Sequence, residues 1–485
     1  MTRSLLPWVV LGSLIAGCNA NGPAPSDAAE LRIVADPART DTVDAEPTEP
    51  LLIEVRTEDG KPVPNAAVEL TVLPSEGGGV VWLRHFGTGI VDLAASDITD
   101  ALGRTGAFVR MGNRPGTARV EVRVGGLADT LAFTVLPGRA ATVALSAGDL
   151  VRYPGSRVTL QAVQRDRHDN PSTSAVTFSV DNPSVVSVAA ANELLAGPAY
   201  GTSNVTVRAA EATASIRLAV APSGTLAARD EHSGAIVLFD LDGSNRRTLV
   251  AETAGHHGFV SYAWMPGVDE LVVSRSGELW QELVRYGLNG AVTRISPPQG
   301  ELPFHALAPS VPTDRSWIYF FANWRNSIDV WRLRPNGTQL QSVPIPDLRD
   351  RAVAPAISPD GTRLAYVDAS TWGPGELRVF TIGAGASSSW RLPGGVPSWS
   401  PAGDRIAYVD YARLIHTVAA DGTGDRVVSS PLRTYVGGQL AWSPDGAWIA
   451  ATSTETTRIE LIQVATGITV PLFHTGGLSA PAWKR

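Results

Sequence analysis

From Leu31 onward the chain reads as short runs in which apolar and polar residues alternate. Val68-Glu69-Leu70-Thr71-Val72 is the plainest case, and a period of two is that of a strand with one buried face. Leu52 to Arg56, Gly106 to Val109, Ala118 to Val122 and Leu131 to Val135 repeat the pattern. So do Val158 to Ala162, Val176 to Val180 and Val205 to Val207. Turn residues separate the runs, as at Asp59-Gly60-Lys61-Pro62. Short strands at this spacing predict β-sandwiches over residues 30–139 and 140–222.

After Ser223 a longer repeat takes over. Ser358-Pro359-Asp360-Gly361 returns as Ser400-Pro401-Ala402-Gly403 and Ser443-Pro444-Asp445-Gly446, a period of roughly 42 residues, in the range of propeller blades. Each copy precedes an apolar strand: Leu364 to Val367, Ile406 to Val409 and Trp448 to Ala451. Weaker copies begin at Trp264-Met265-Pro266-Gly267 and Ser310-Val311-Pro312. A second turn recurs downstream of each, at Asp242-Gly243, Asn289-Gly290, Asn336-Gly337, Ala384-Gly385, Asp421-Gly422 and Thr466-Gly467. Asp-Gly and Asn-Gly favour tight hairpins, and the six turns predict six blades. The first unit, at Thr225 to Ala228, lacks a leading strand, and the chain ends on Ala480-Pro481-Ala482-Trp483, a leading strand without a successor. The C-terminal strand is therefore expected to complete the first blade and close the ring.

This frame resembles the TolB-type six-bladed β-propeller over about Ser223 to Arg485. It is strongest in the last three units and degenerate in the second and third. Asp59 to Ala66 and Thr99 to Gly103 resemble bacterial Ig-like domains of the invasin/intimin type. Asp181 to Val188 and Gly201 to Val207 resemble the second group of bacterial Ig-like domains, with Phe178 where that group usually has Trp. The resemblance implies spacers that hold a terminal module away from a membrane. The expected fold is all-β, with two sandwiches and then a propeller over residues 223–485.

Composition agrees. Of 485 residues, 44% are hydrophobic and 18% charged, and 47 Gly and 35 Pro suit many turns. A net charge of −7 does not suggest a nucleic-acid partner. The one cysteine, Cys18, excludes an internal disulfide. Its setting is informative: Arg3, an apolar run from Leu5 to Ile15 too short to span a bilayer, then Ile15-Ala16-Gly17-Cys18. The segment resembles a lipoprotein signal over residues 1–17 with lipidation at Cys18. Residues 18–29 then form a tether. Asn19 rather than Asp after the cysteine points, by that resemblance, to the outer membrane rather than the inner.

Candidate chemistry is sparse. His256 and His257 lie in the connection entering the second unit, and His305 in that entering the third. They could converge on the channel mouth and hold a metal. They stand at different offsets from Pro266 and Pro312, and units four to six have no counterpart, the pattern of ordinary loop histidines. There is no Gly-x-Ser-x-Gly elbow, and no hydrolase domain is expected after Ser479. Gly77-Gly78-Gly79 lacks the Lys-Ser/Thr of a phosphate loop. No cofactor is called for. Aromatics crowd the third unit: Trp317, Tyr319, Phe320, Phe321, Trp324 and Trp331. Most are expected between blades. Trp324-Arg325-Asn326, in a loop, is the expected contact surface.

The reading is a lipid-anchored, non-enzymatic envelope protein whose propeller binds a protein, peptide or polysaccharide. A metal-dependent glycan lyase or hydrolase at the channel is the enzymatic alternative. A structural spacer or adhesin is the third.

Overall fold

The structure is a computed structural model and describes residues 24–46, 48–75, 78–85, 91–251, 261–276, 281–296, 306–324, 327–345, 352–368, 375–383, 387–430 and 439–484. It is all-β; the described helical elements are two short 3-10 turns, Pro25–Asp27 and Phe473–Thr475. No helix among the described residues is long and apolar enough to cross a membrane. The chain divides into two compact units, Met1–Ala144 with Ala162–Val176 and Arg208–Thr213, and Leu145–Gln161 with Thr177–Val207 and Ala214–Arg485.

In the first unit two five-stranded sheets face each other. One runs Glu30–Ala35, Leu51–Arg56, Arg104–Met111, Val81–His85 and Val91–Asp92; the other runs Thr40–Thr42, Leu127–Leu136, Gly116–Val124, Ala67–Leu73 and Ala94–Ile98. Alternation sets the core. Leu131, Phe133 and Val135 are buried, while Ala132 and Thr134 between them are exposed. They pack with Leu51, Ile53, Val68 and Val120, each buried apolar side chain contributing about 1.5–3 kcal/mol. Glu54 is buried in the same unit and is held by Arg56 at 2.8 Å and Arg104 at 3.0 Å.

The run from Val158 to Ala162, expected as one strand, is two. Arg157–Thr159 pairs with Glu193–Ala196, and Ala162–Arg165 belongs to a different sheet with Thr142–Leu145. The chain changes sheets at Leu160, which is buried in the core. A polar/apolar pattern fixes which face is buried but not which sheet a strand joins.

In the second unit, residues 225–483 form six four-stranded antiparallel sheets. Five are consecutive meanders. The first is completed by the last strand: Leu478–Trp483 pairs with Thr225–Asp230, with Leu226 opposite Trp483 and Ala227 opposite Ala482. The leading strands are Leu478–Trp483, Ser261–Trp264, Leu307–Ser310, Ala352–Ile357, Gly395–Trp399 and Ala441–Trp442. Each touches the next, and the sixth touches the first, so the contacts form a closed cycle.

The aromatics of the third sheet are mostly interior. Tyr319, Phe320 and Phe321 are buried. Trp317 is partly buried under the guanidinium groups of Arg334 at 3.9 Å and Arg332 at 4.3 Å.

A four-stranded sheet, Leu150–Arg152, Ala212–Val220, Gly201–Ala209 and Val176–Val180, and a three-stranded sheet, Arg157–Thr159, Glu193–Ala196 and Val186–Ala190, share a core of Val158, Leu194, Val205 and Leu218 and form the second sandwich. One apolar core spans this sandwich and two of the six sheets. Val151, Ala219 and Ala221 of the second sandwich pack with Leu226, Phe239, Leu241 and Trp483 of the first sheet and Trp448, Leu461 and Leu472 of the sixth. Tyr200 sets its ring edge-on to Trp448 at 5.1 Å, and Tyr153 accepts a hydrogen bond at its hydroxyl from the Asp242 N–H at 3.3 Å.

Candidate functional site

Neighbouring strands are antiparallel, so alternate connections fall at opposite ends of each sheet. First-to-second and third-to-fourth turns share one end. Second-to-third hairpins and the sheet-to-sheet connections share the other. The two ends are built differently.

The first end is a repeated lattice. Ser358 Oγ donates to Asp360 at 2.5 Å and accepts the Arg363 N–H at 2.9 Å. Ser443 does the same with Asp445 at 2.5 Å and Trp448 at 2.9 Å. Where Ala402 replaces the aspartate, Asp404 takes its place and accepts from Ser400 at 2.7 Å. Neighbouring turns touch: a methyl group on Gly361 would meet Pro312 at 3.4 Å, and one on Gly403 would meet Pro359 at 3.3 Å. Arg363 extends to the Gly403 carbonyl at 2.8 Å. The third-to-fourth turns carry Gly243, Gly290, Gly337, Gly383, Gly422 and Gly467, all at φ between 74° and 88°. The fourth of these lies at Gly383, upstream of the expected Ala384-Gly385, which falls outside the described residues.

The other end does not repeat. Among the described hairpins, that of the fifth sheet is the most chemically loaded. Asp410 and Tyr411 leave the strand Arg405–Val409 together. Asp410 fixes the turn by accepting the Leu414 N–H at 2.7 Å. Tyr411 is 53% exposed, yet its hydroxyl donates to the Gly375 carbonyl of the fourth sheet at 2.5 Å. Burial, with Glu376 nearby, raises its phenol above the ordinary value.

Behind it sits a polar quartet. His416 Nε2 faces Asp410 at 3.2 Å and Nδ1 faces Asp425 at 3.2 Å. The imidazole stacks on Tyr408 with centroids 5.0 Å apart. Tyr408 donates to Asp425 at 2.8 Å; burial first, then this carboxylate, raises its phenol strongly. A ring carrying both N–H groups can donate to both carboxylates. The quartet ties the hairpin at Asp410 to the turn at Asp425 across the fifth sheet. Sequence reasoning missed it. The available signal was Tyr408 and His416 placed symmetrically about the hairpin, which pairs them across strands.

Of the residues singled out from sequence, Cys18, His256, His257, His305, Arg325 and Asn326 lie outside the described residues. Trp324 ends the strand Ile318–Trp324 opposite Ser327, and its side chain lies outside the description. The strand ends flanking all but Cys18 belong to the non-repeating end. No group of three or more His, Cys, Asp or Glu arranged to hold a metal occurs among the described residues.

No family model matches the chain. An uncharacterized protein of Agrobacterium fabrum is 29% identical over 136 residues, 25% of this chain and 44% of that protein. The chain thus matches less than half the length of this curated relative. Among solved structures, TolB from Acinetobacter baumannii aligns with a TM-score of 0.45 and 16% identity over 59% of this chain and 80% of that one. A putative TolB from Agrobacterium tumefaciens aligns at 0.40 and 15%, over 52% and 90%. An oligogalacturonate lyase from Vibrio parahaemolyticus aligns at 0.35 and 12%, over 51% and 71%. At these scores the similarities say nothing about activity.

Proposed function

We propose that the chain is a non-enzymatic binding protein of the cell envelope. In this reading the six sheets are the blades of a TolB-like propeller, and the partner docks on its non-repeating end. The partner class is a protein, peptide or polysaccharide. Cys18 carries the lipid anchor, with the outer membrane as its site, and the sandwiches at residues 30–139 and 140–222 are Ig-like.

The observation that carries the reading is the contrast between the ends. One end is occupied by turns with a recurring internal serine–aspartate bond, each packed against the turn of the neighbouring sheet. The other gathers connections of unlike sequence, where loops can carry recognition without disturbing the sheets. Tyr411 stands exposed there, and Trp324 and Ser327, the strand ends on either side of Arg325 and Asn326 in the sequence, pair at the same end. Trp, Tyr and Arg are the residues enriched at interface hot spots.

The test is capture from envelope extract by the full-length chain, compared with Trp324→Ala, Arg325→Ala and Tyr411→Ala. The reading expects each variant to lose captured partner by about tenfold or more. The first two should keep an unchanged melting temperature, and Tyr411→Ala should lose no more stability than its one hydrogen bond to Gly375 contributes, about 0.5–1.5 kcal/mol. Retained capture in all three contradicts it. Elemental analysis decides the enzymatic alternative. About one equivalent of zinc or manganese, lost in His257→Ala and His305→Ala, would replace binding by metal-dependent catalysis.

A further inference from the structure

The 3-10 turn Phe473–Thr475 links the outer strand of the sixth sheet to the closing strand Leu478–Trp483. The second sandwich rests on it. Arg217 places its guanidinium 4.6 Å from the centre of the Phe473 ring, and Asp149 holds Arg217 through Nε at 3.0 Å and Nη2 at 2.5 Å. The next residue, His474, turns its imidazole edge-on to Phe239 at 5.4 Å. Phe239 belongs to the core shared by the sandwich and the first and sixth sheets. The imidazole also lies against the Asp240 to Ser244 turn: a methyl group on Gly243 would meet it at 3.1 Å. That turn supplies the Asp242 N–H bonded to Tyr153 of the sandwich. His474 and Tyr153 therefore hold the same turn. His474 Nε2 is buried and has no hydrogen-bond partner.

We propose that His474 is an acid-operated latch whose protonation loosens the seam between the second sandwich and the first and sixth sheets. A proton on the ring would place a charge on a buried nitrogen that nothing accepts from, beside a phenyl edge. The surrounding charges do not provide for it. Arg246 bonds the His474 carbonyl at 3.2 Å and opposes a second positive charge. Asp242 favours the charge but is engaged by Ser244 through its N–H at 3.0 Å and its hydroxyl at 2.6 Å, and is shared with Arg152. Asp240 is tied to Thr225 and Asn245, and Asp230 lies 4.0 Å from Arg246. On the sandwich side Asp149 is committed to Arg217, with Arg458 near it.

Burial first, then Arg246, lowers the imidazole from its ordinary 6.5 to about 4, with Asp242 acting the other way. A histidine depressed in the closed state contributes stability fully above its open-state value and loses it as pH falls towards the closed one. The window is thus about pH 6.5 down to 4. If the open ring returns to its ordinary value, the seam opens about 30-fold more often at pH 5 than at pH 7.5.

Hydrogen exchange of the full chain, followed by mass spectrometry and corrected for the chemical rate at each pH, reads this directly. Peptides covering Leu150 to Tyr153 and Asp240 to Ser244 should exchange roughly 30-fold faster at pH 5 than at pH 7.5. In His474→Gln the acceleration should vanish. Equal exchange at both pH values, or the same acceleration in His474→Gln, overturns the proposal. Should the variant not fold, the wild-type ring answers alone. A titration midpoint by nuclear magnetic resonance well below 5.5 that tracks the exchange supports the latch, and a midpoint near 6.5 contradicts it.

Discussion

The indole N–H of Trp264 donates to the carbonyl oxygen of Ala482 at 3.0 Å, although 218 residues separate them. It ties the second sheet to the strand that completes the first. The same bond recurs around the cycle: Trp399 donates to Ala356 at 2.8 Å and Trp442 to Ser398 at 3.0 Å. In each case the tryptophan just before the first turn of one sheet staples the leading strand of the sheet before it. At the third and fourth sheets, which lack this tryptophan, serine hydroxyls serve instead. Ser261 accepts the Ala308 N–H at 2.8 Å and Ser310 accepts the Ile357 N–H at 3.0 Å.

Trp264→Phe keeps most of the buried ring and leaves the Ala482 carbonyl without its donor. A buried acceptor left unsatisfied costs about 1–3 kcal/mol. Chemical denaturation should show a loss in that range for Trp264→Phe and for Trp442→Phe, with no change in the denaturant slope.

Closure depends on the last strand. Trp483 is buried, and Gly224 passes so close that a methyl group there would meet its Nε1 at 2.7 Å. Trp483→Ala should cost about 3–5 kcal/mol, the range for large aromatic truncations in cores. Removing residues 480–485 should lower the melting temperature further or prevent folding, because it exposes the paired edge of Thr225–Asp230. An unchanged melt after that deletion would be incompatible with a closed cycle.

These ties were legible in the sequence to the extent that they are local. Ser-Pro-Asp-Gly is read within four residues, because proline presets φ, aspartate caps the turn and glycine accepts positive φ. The closing strand was legible as a remainder, since a strand missing at one end matched one left over at the other. Leu160 and the shared core were not. Val151, Ala219, Phe239 and Trp448 alternate as any half-buried strand does, and alternation carries no information about which surface covers a face. The His416 quartet was hidden for a related reason: Asp410 and Asp425 sit in different turns and meet the ring only through strand register.

That shared core gives a truncation test. A chain beginning at residue 223 would expose Phe239, Leu241 and Leu472, which now pack with Val151, Ala219 and Ala221. It should melt at lower temperature than the full chain and bind a hydrophobic dye. Tyr153→Phe, which removes one acceptor from Asp242, should show a smaller loss of about 1 kcal/mol.

A separate acid response belongs to the first unit. Asp44, at φ 61°, receives bonds from His168 and from Arg167 Nε at 2.7 Å. Burial alone would raise its carboxyl, but these bonds outweigh it and hold it below the ordinary value. A depressed carboxyl contributes stability above its unfolded value and loses it as pH falls through the folded one, here below about pH 4. Asp44→Asn should therefore be less stable at pH 7 and should lose less than wild type between pH 5 and pH 3, measured by denaturant midpoint.

Lipidation is checked by metabolic labelling with a clickable fatty acid. Wild type should be tagged and Cys18→Ala should not, because the thiol is the acceptor in the lipobox reading.

The central claim is that partners dock on the non-repeating end. The most direct measurement places one bulky thiol adduct at either end, in a Cys18→Ser background, and reads partner capture by the full chain. Thr362→Cys lies in a Ser-Pro-Asp-Gly turn, and Tyr411→Cys lies in the exposed hairpin of the other end. An adduct at 411 should abolish capture and one at 362 should leave it intact. Capture blocked from 362 and spared from 411 would contradict the account.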